Sequence, residues 1–130
     1  MKKRVVLLLT GLFIWMSSLL AQDVPSRVIT AFKNGNAQEL EEYFGDEVEL
    51  SVTTATATVA KDKAEQILAT FFAENSISGF EVKHQGKRDE SGFLIGVLTT
   101  KKGNFRVNCF FRKLKSRYSI HQIRIDKTNE

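Results

Sequence analysis

Apolar residues recur along this chain in two rhythms, every three to four residues in its first part and every second residue in its second. Val28, Ile29 and Phe32 fall on one face at helical spacing. Asp23 or Ser26 suits the cap of that helix, Pro25 its first turn, and Gly35 in Lys33-Asn34-Gly35-Asn36 its end. Asn36 then caps a second short helix, with Glu39 three residues on as in a capping box and Leu40, Tyr43 and Phe44 as its apolar stripe. Gly45-Asp46 reads as a turn. Val48, Leu50 and Val52 alternate with polar neighbours, which predicts a half-buried strand. Thr53–Ala60 continues as Thr/Ala alternation, fitting a second extended piece or a polar loop. Lys61–Asn75 returns to helical period through Ala64, Ile67, Leu68, Phe71 and Phe72, with Asp62 as cap and Glu65 three residues later. From Ser76 the period is two. Strands are predicted over Ile77–Gln85, Phe93–Thr100, Asn104–Lys113 and Arg117–Asp126, joined by turns short enough to make an antiparallel meander. Helices followed by such a meander give an α+β architecture with the helices on one face.

The start of the chain follows neither rhythm. Lys2, Lys3 and Arg4 precede an apolar run, Val5–Met16, and Ala21 offers a small residue before Gln22. Residues 1–21 thus read as a secretory signal peptide and 22–130 as one domain. The run is shorter than the roughly 20 residues a spanning helix needs, so no stable membrane anchor is expected after cleavage. The protein is expected to be exported, periplasmic or extracellular in a Gram-negative bacterium.

Export changes the charge picture. The chain carries 19 basic and 15 acidic residues, net +4, but three of the cations lie in the signal, so residues 22–130 are net +1. The charges are uneven: residues 22–80 hold 4 basic and 10 acidic groups, residues 81–130 hold 12 and 5. Oppositely charged halves of one exported domain attract each other without any nucleic acid, and no nucleic-acid partner is expected. The single Cys109 sits among Val107, Phe110 and Phe111 and reads as a small buried hydrophobe.

The segment Val28-Ile29-Thr30-Ala31-Phe32-Lys33-Asn34-Gly35-Asn36 followed by Leu40-Glu41-Glu42-Tyr43-Phe44 resembles the opening of the nuclear transport factor 2-like superfamily, also called ketosteroid-isomerase-like or SnoaL-like. Tyr118-Ser119-Ile120-His121-Gln122-Ile123-Arg124-Ile125-Asp126 resembles its last strand. The chain is particularly similar to a group of short exported bacterial proteins of that superfamily without assigned function. The resemblance covers nearly all of residues 24–127. It implies a cone-shaped fold, N-terminal helices packed on a curved, mostly antiparallel sheet, with a pocket between them. It also implies a homodimer held by sheet faces.

Against that frame the candidate chemistry is sparse. The superfamily's isomerases need an inward carboxylate, and Glu47, Glu49 and Glu81 alternate with apolar neighbours so as to point away from the core. His84 shares parity with Phe80 and Val82, and His121 with Ile123 and Ile125, so both are expected to face the concave side, as a base or ligand contact or as ordinary strand histidines. Tyr43 and Cys109 complete the pocket candidates. Arg106, Asn108, Arg112, Gln122 and Arg124 fall on the other parity and form a basic, polar patch, either a site for an acidic partner or polyanion or a solvated outer face. No metal site and no cofactor are expected. Two functions remain: a non-catalytic binding module for a small apolar ligand or a protein partner, or a small-molecule isomerase or hydrolyase with a pocket histidine as general base. The first is favoured.

Overall fold

A computed structural model describes residues 25–114 and 117–129. The signal-peptide reading of residues 1–21, the capping role of Asp23 and the Lys115-Ser116 turn lie outside the described residues. Helix α1 spans Ser26–Asn34 and buries Val28, Ala31 and Phe32. It stops where expected: Gly35 takes the left-handed conformation (φ 64°), a geometry that favours glycine. Its N–H donates to the Phe32 carbonyl, and that of Asn36 to the Ala31 carbonyl, 2.8 Å away. Helix α2, Ala37–Glu41, is capped by the Asn36 side chain, which accepts from the Glu39 N–H at 3.1 Å.

The second helix is shorter than its apolar stripe predicts. Tyr43 lies in the turn after α2 and Phe44 opens strand β1, Phe44–Val52. The Tyr43 carbonyl accepts from the Ile120 N–H at 2.6 Å, so a hydrogen bond to a strand 77 positions later draws the chain out of the helix and into the sheet. The Thr/Ala stretch resolves as strand β2, Ala55–Ala60, an edge strand antiparallel to β1. Helix α3, Lys61–Asn75, begins two residues earlier than an Asp62 cap would require. Asp62 instead sits in its first turn, where a carboxylate is favourable to the helix dipole, and accepts from the Lys63 N–H at 2.9 Å.

The meander follows: β3 (Ile77–Arg88), β4 (Ser91–Thr100), β5 (Gly103–Leu114) and β6 (Arg117–Thr128). One curved six-stranded sheet results, in the order β2-β1-β6-β5-β4-β3. All neighbours are antiparallel except β1 and β6, which run parallel. That pairing joins the early hairpin to the late meander and makes one sheet of two local units.

The three described helices lie on one face. The inner side chains of the sheet, among them Val48, Leu50, Leu94, Leu98, Val107, Cys109, Phe111, Ile120, Ile123 and Ile125, form one buried core with Val28, Phe32, Leu40 and Leu68. Between helices and sheet runs a chain of rings. Phe80 lies 5.2 Å from Phe32, Phe32 6.4 Å from Phe72, Phe72 5.9 Å from Phe71, and Phe71 5.0 Å from Phe105, centroid to centroid. Most of these contacts are edge-on or tilted, the arrangements aromatic quadrupoles favour. These phenylalanines fill the centre of the layer between helices and sheet.

Candidate functional site

Strand periodicity places side chains correctly only while the ladder is unbroken. In β3 the register against β4 shifts between Val82 and His84, so Lys83 is an extra residue. Directly paired residues share a face. Phe80 pairs with Leu98 and Val82 with Gly96 on the inner side, but His84 pairs with Ile95 on the outer side. The bulge corrects the expectation for His84: it is exposed on the outer face of an edge strand.

His121 meets the same fate. The β5–β6 register shifts between Phe110 and Phe111, which pair with Gln122 and Ile120 and leave His121 unmatched. It lines a groove of about 310 Å³ with Arg88, Phe93, Phe110 and Gln122. Partial burial holds its imidazole below the ordinary histidine range, the Arg112 guanidinium adds to this, and the Glu49 carboxylate opposes it. Neither histidine reaches the interior, so the expected inward pair does not form. Tyr43 is half-buried against the core rather than in a pocket. Cys109 is fully buried, and burial pushes its thiol far above the usual range. Among the described residues no group of three or more His, Cys, Asp or Glu could hold a metal.

The structure does bring the patch candidates together. On the outer face, three rows cross the sheet. One runs Glu81, Val97, Arg106, Asp126; the next His84, Ile95, Asn108, Arg124, Ser51; the third Phe93, Phe110, Gln122, Glu49. Arg112 follows, opposite Ser119. The Arg124 Nε donates to Asp126 Oδ2 at 2.9 Å, and Gln122 Nε2 to Glu49 Oε2 at 3.3 Å. Asn108 Oδ1 is enclosed here without a donor.

Sequence reasoning missed the centre of this face. Phe93, Ile95 and Phe110 are half-buried on it, and Val97 is only 6 % exposed although it lies outside the helix-covered core. An antiparallel sheet with one wet face normally alternates apolar and polar residues. The signal was present: Phe110-Phe111 cannot both face inward, and Phe93–Leu98 runs six residues without a polar side chain, which makes both faces of β4 apolar.

Helices packed on one side of a curved, mostly antiparallel sheet, with an uncovered apolar strip on the other, define an α+β domain of the nuclear transport factor 2-like and cystatin-like kind. A protein named Rd1NTF2_04 with long sheet superposes with a TM-score of 0.64 at 14% identity, covering 77% of this chain and 94% of its own. An uncharacterized protein with a cystatin-like fold from Silicibacter pomeroyi does so with a TM-score of 0.60 at 11% identity, covering 79% and 72%. These likenesses concern the fold. More closely, the chain belongs to the DUF4783 family, a domain of unknown function, whose model matches residues 25–126. A DUF4783 family protein from Bacteroides ovatus is 56% identical, with a TM-score of 0.81 over 84% of this chain and 99% of that one. No curated protein matches the chain.

Proposed function

We propose that the domain is a non-catalytic module of an exported protein that binds a protein partner through the outer face of its sheet. The observation that carries this reading is the apolar strip of half-buried Phe93, Ile95 and Phe110 around Val97, on the face that none of the described helices covers. Leaving such side chains wet costs about 25 cal/mol for each Å² that a partner would remove from water. The rim is mixed in charge, with Arg88, Arg106, Arg112 and Arg124 beside Glu49, Glu81 and Asp126, so the fitting partner is apolar at its centre and carries charges of both signs at its edge. The ring chain from Phe80 to Phe105 fills the centre of the helix–sheet layer and disfavours the alternative, a small apolar ligand held there. That second reading draws on two grooves of about 500 Å³, one between α3 and the β1–β2 hairpin lined by Phe71 and Phe105, the other between the α1–α2 turn and α3 lined by Gly35 and Phe72, both of ligand size.

The test is a photo-crosslinking residue placed at Phe93 or Ile95 in the producing cells, with Lys33 on α1 as control. Discrete adducts from the two sheet positions and none from Lys33 are expected, and the charge reversals Arg106→Glu and Arg124→Glu should reduce them. Adducts of twice the chain's mass would assign the face to a second copy, the dimer the superfamily resemblance implies. Equal labelling at all three positions, or none, would defeat the proposal.

A further inference from the structure

The two edges of the sheet are built differently. Strand β3, at one end, carries Glu81, Lys83, His84, Lys87 and Arg88 and two register shifts. Charges and bulges are the means by which an edge is kept from pairing with other chains. Strand β2, at the other end, has none of these. No charged residue occurs between Glu49 and Lys61, no proline interrupts 53–60, and the register against β1 is unbroken from Glu47↔Ala60 to Val52↔Ala55. Five of its six residues are exposed and Val59 is half-buried. Ala55 and Ala57, on the helix side, are among the exposed ones, so no helix overhangs the edge.

We infer that the β2 edge pairs antiparallel with the β2 edge of a second copy, across a two-fold axis at Thr56. The segment about Thr56 is its own complement: from Thr54, the turn residue that precedes β2, Thr54-Ala55-Thr56-Ala57-Thr58 reads the same in both directions. Antiparallel pairing about Thr56 therefore sets Thr54 against Thr58, Ala55 against Ala57 and Thr56 against itself. Threonine pairs on the outer face are a favourable cross-strand combination, and the alanines on the other face are too small to collide. Every second residue of β2 turns its N–H and C=O away from β1, and these groups would receive partners. A two-fold contact consumes both open edges. The remaining edges are the guarded β3 strands, so assembly stops at a dimer with one continuous twelve-stranded sheet and does not run on into a fibre. With the axis at Thr56 only Ala55–Ala57 of each β2 meet strand residues of the other, flanked by Thr54 and Thr58, so the contact buries much less than the about 1,200 Å² typical of stable complexes and the dimer forms reversibly with concentration. This contact is separate from the outer face and stands whether or not that face binds a partner.

Sedimentation velocity of the protein purified from the cells that produce it, from about 10 µM to about 1 mM, spans the range such a contact occupies. The average mass should rise toward twice that of the monomer. Thr56→Lys and Thr56→Glu should each stay monomeric and folded, since Thr56 is exposed and loses only its 3.0 Å hydrogen bond to Ser51 Oγ, and an equimolar mixture of the two should regain the dimer. Ile95→Lys, on the outer face, should leave the association intact. A wild type that stays monomeric throughout overturns the inference. So does a dimer that survives both Thr56 variants, a mixture that fails to re-associate, or a dimer abolished by Ile95→Lys.

Discussion

Gly96 marks the place where the filled interior is tightest. It sits on the inner face of β4 opposite Val82, under the Phe80 ring. A Cβ there would lie 2.5 Å from Phe80 Cζ, 2.6 Å from Cε1 and 2.7 Å from the Glu81 carbonyl oxygen, where ordinary contacts begin at 3.4 Å. In Gly96→Ala the ring must retreat about 0.9 Å and the carbonyl about 0.7 Å. The ring has nowhere to go, because its other side is held 5.2 Å from the fully buried Phe32. Strand β3 must therefore move. Overpacking of this kind costs about 1–3 kcal/mol, and loss of the Phe32–Phe80 ring pair about 0.5–1.5 kcal/mol more. A total near 2–4 kcal/mol is a large part of the about 5–15 kcal/mol that holds an ordinary domain together. Urea denaturation should show a lower midpoint at constant slope. In a Phe80→Ala background the wedge is gone and only the carbonyl contact remains, so the two changes should be non-additive by at least about 1 kcal/mol. A Gly96→Ala variant within about 0.5 kcal/mol of wild type, or a strictly additive double mutant, would refute the reasoning.

Two further outcomes follow from the titratable groups. The folded state disfavours the charged form of His121, so between its folded and unfolded pKa values the unfolded chain binds more protons. Its contribution to stability is then complete above the ordinary histidine value of about 6.5 and is lost as the pH falls through the lowered folded value. Urea midpoints from neutral to acid pH should show this slope in wild type and lose it in His121→Gln; a slope that persists in the variant assigns it to other groups. Cys109 should resist a thiol reagent in the native protein and react once denaturant unfolds it, because its sulfur is buried and its thiolate disfavoured. Rapid labelling without denaturant would contradict its place in the core.

The local signals were legible where they acted within one element. The Gly35 stop, the Asn36 cap, the α3 stripe and the four meander strands all appear in the periodicity. Local reading failed where a distant strand intervened. Leu40, Tyr43 and Phe44 have helical spacing, yet the Tyr43 carbonyl is taken by Ile120, so the helix ends and a strand begins. Parity carried His84 and His121 inward because alternation assumes one residue per step. A bulge adds an extra residue on one strand against its partner, and both strands are needed to see it. The basic patch was readable because β5 is unbroken from Arg106 to Arg112 on its β4 side. The apolar centre it surrounds escapes a reading that expects polar residues on the patch's parity, where Phe110 stands between Asn108 and Arg112.

The sequence by itself determined that helices precede a meander, that the core is rich in phenylalanine, and that basic residues gather on the later strands. These depend on spacing and composition within short windows, and no distant partner alters them. The tertiary structure alone decided the parallel β1–β6 junction, the two bulges that turn both histidines outward, and the filling of the interior by the Phe80-to-Phe105 chain. Each arises from contacts between residues far apart in the chain, where ladder register and packing volume outweigh local preference.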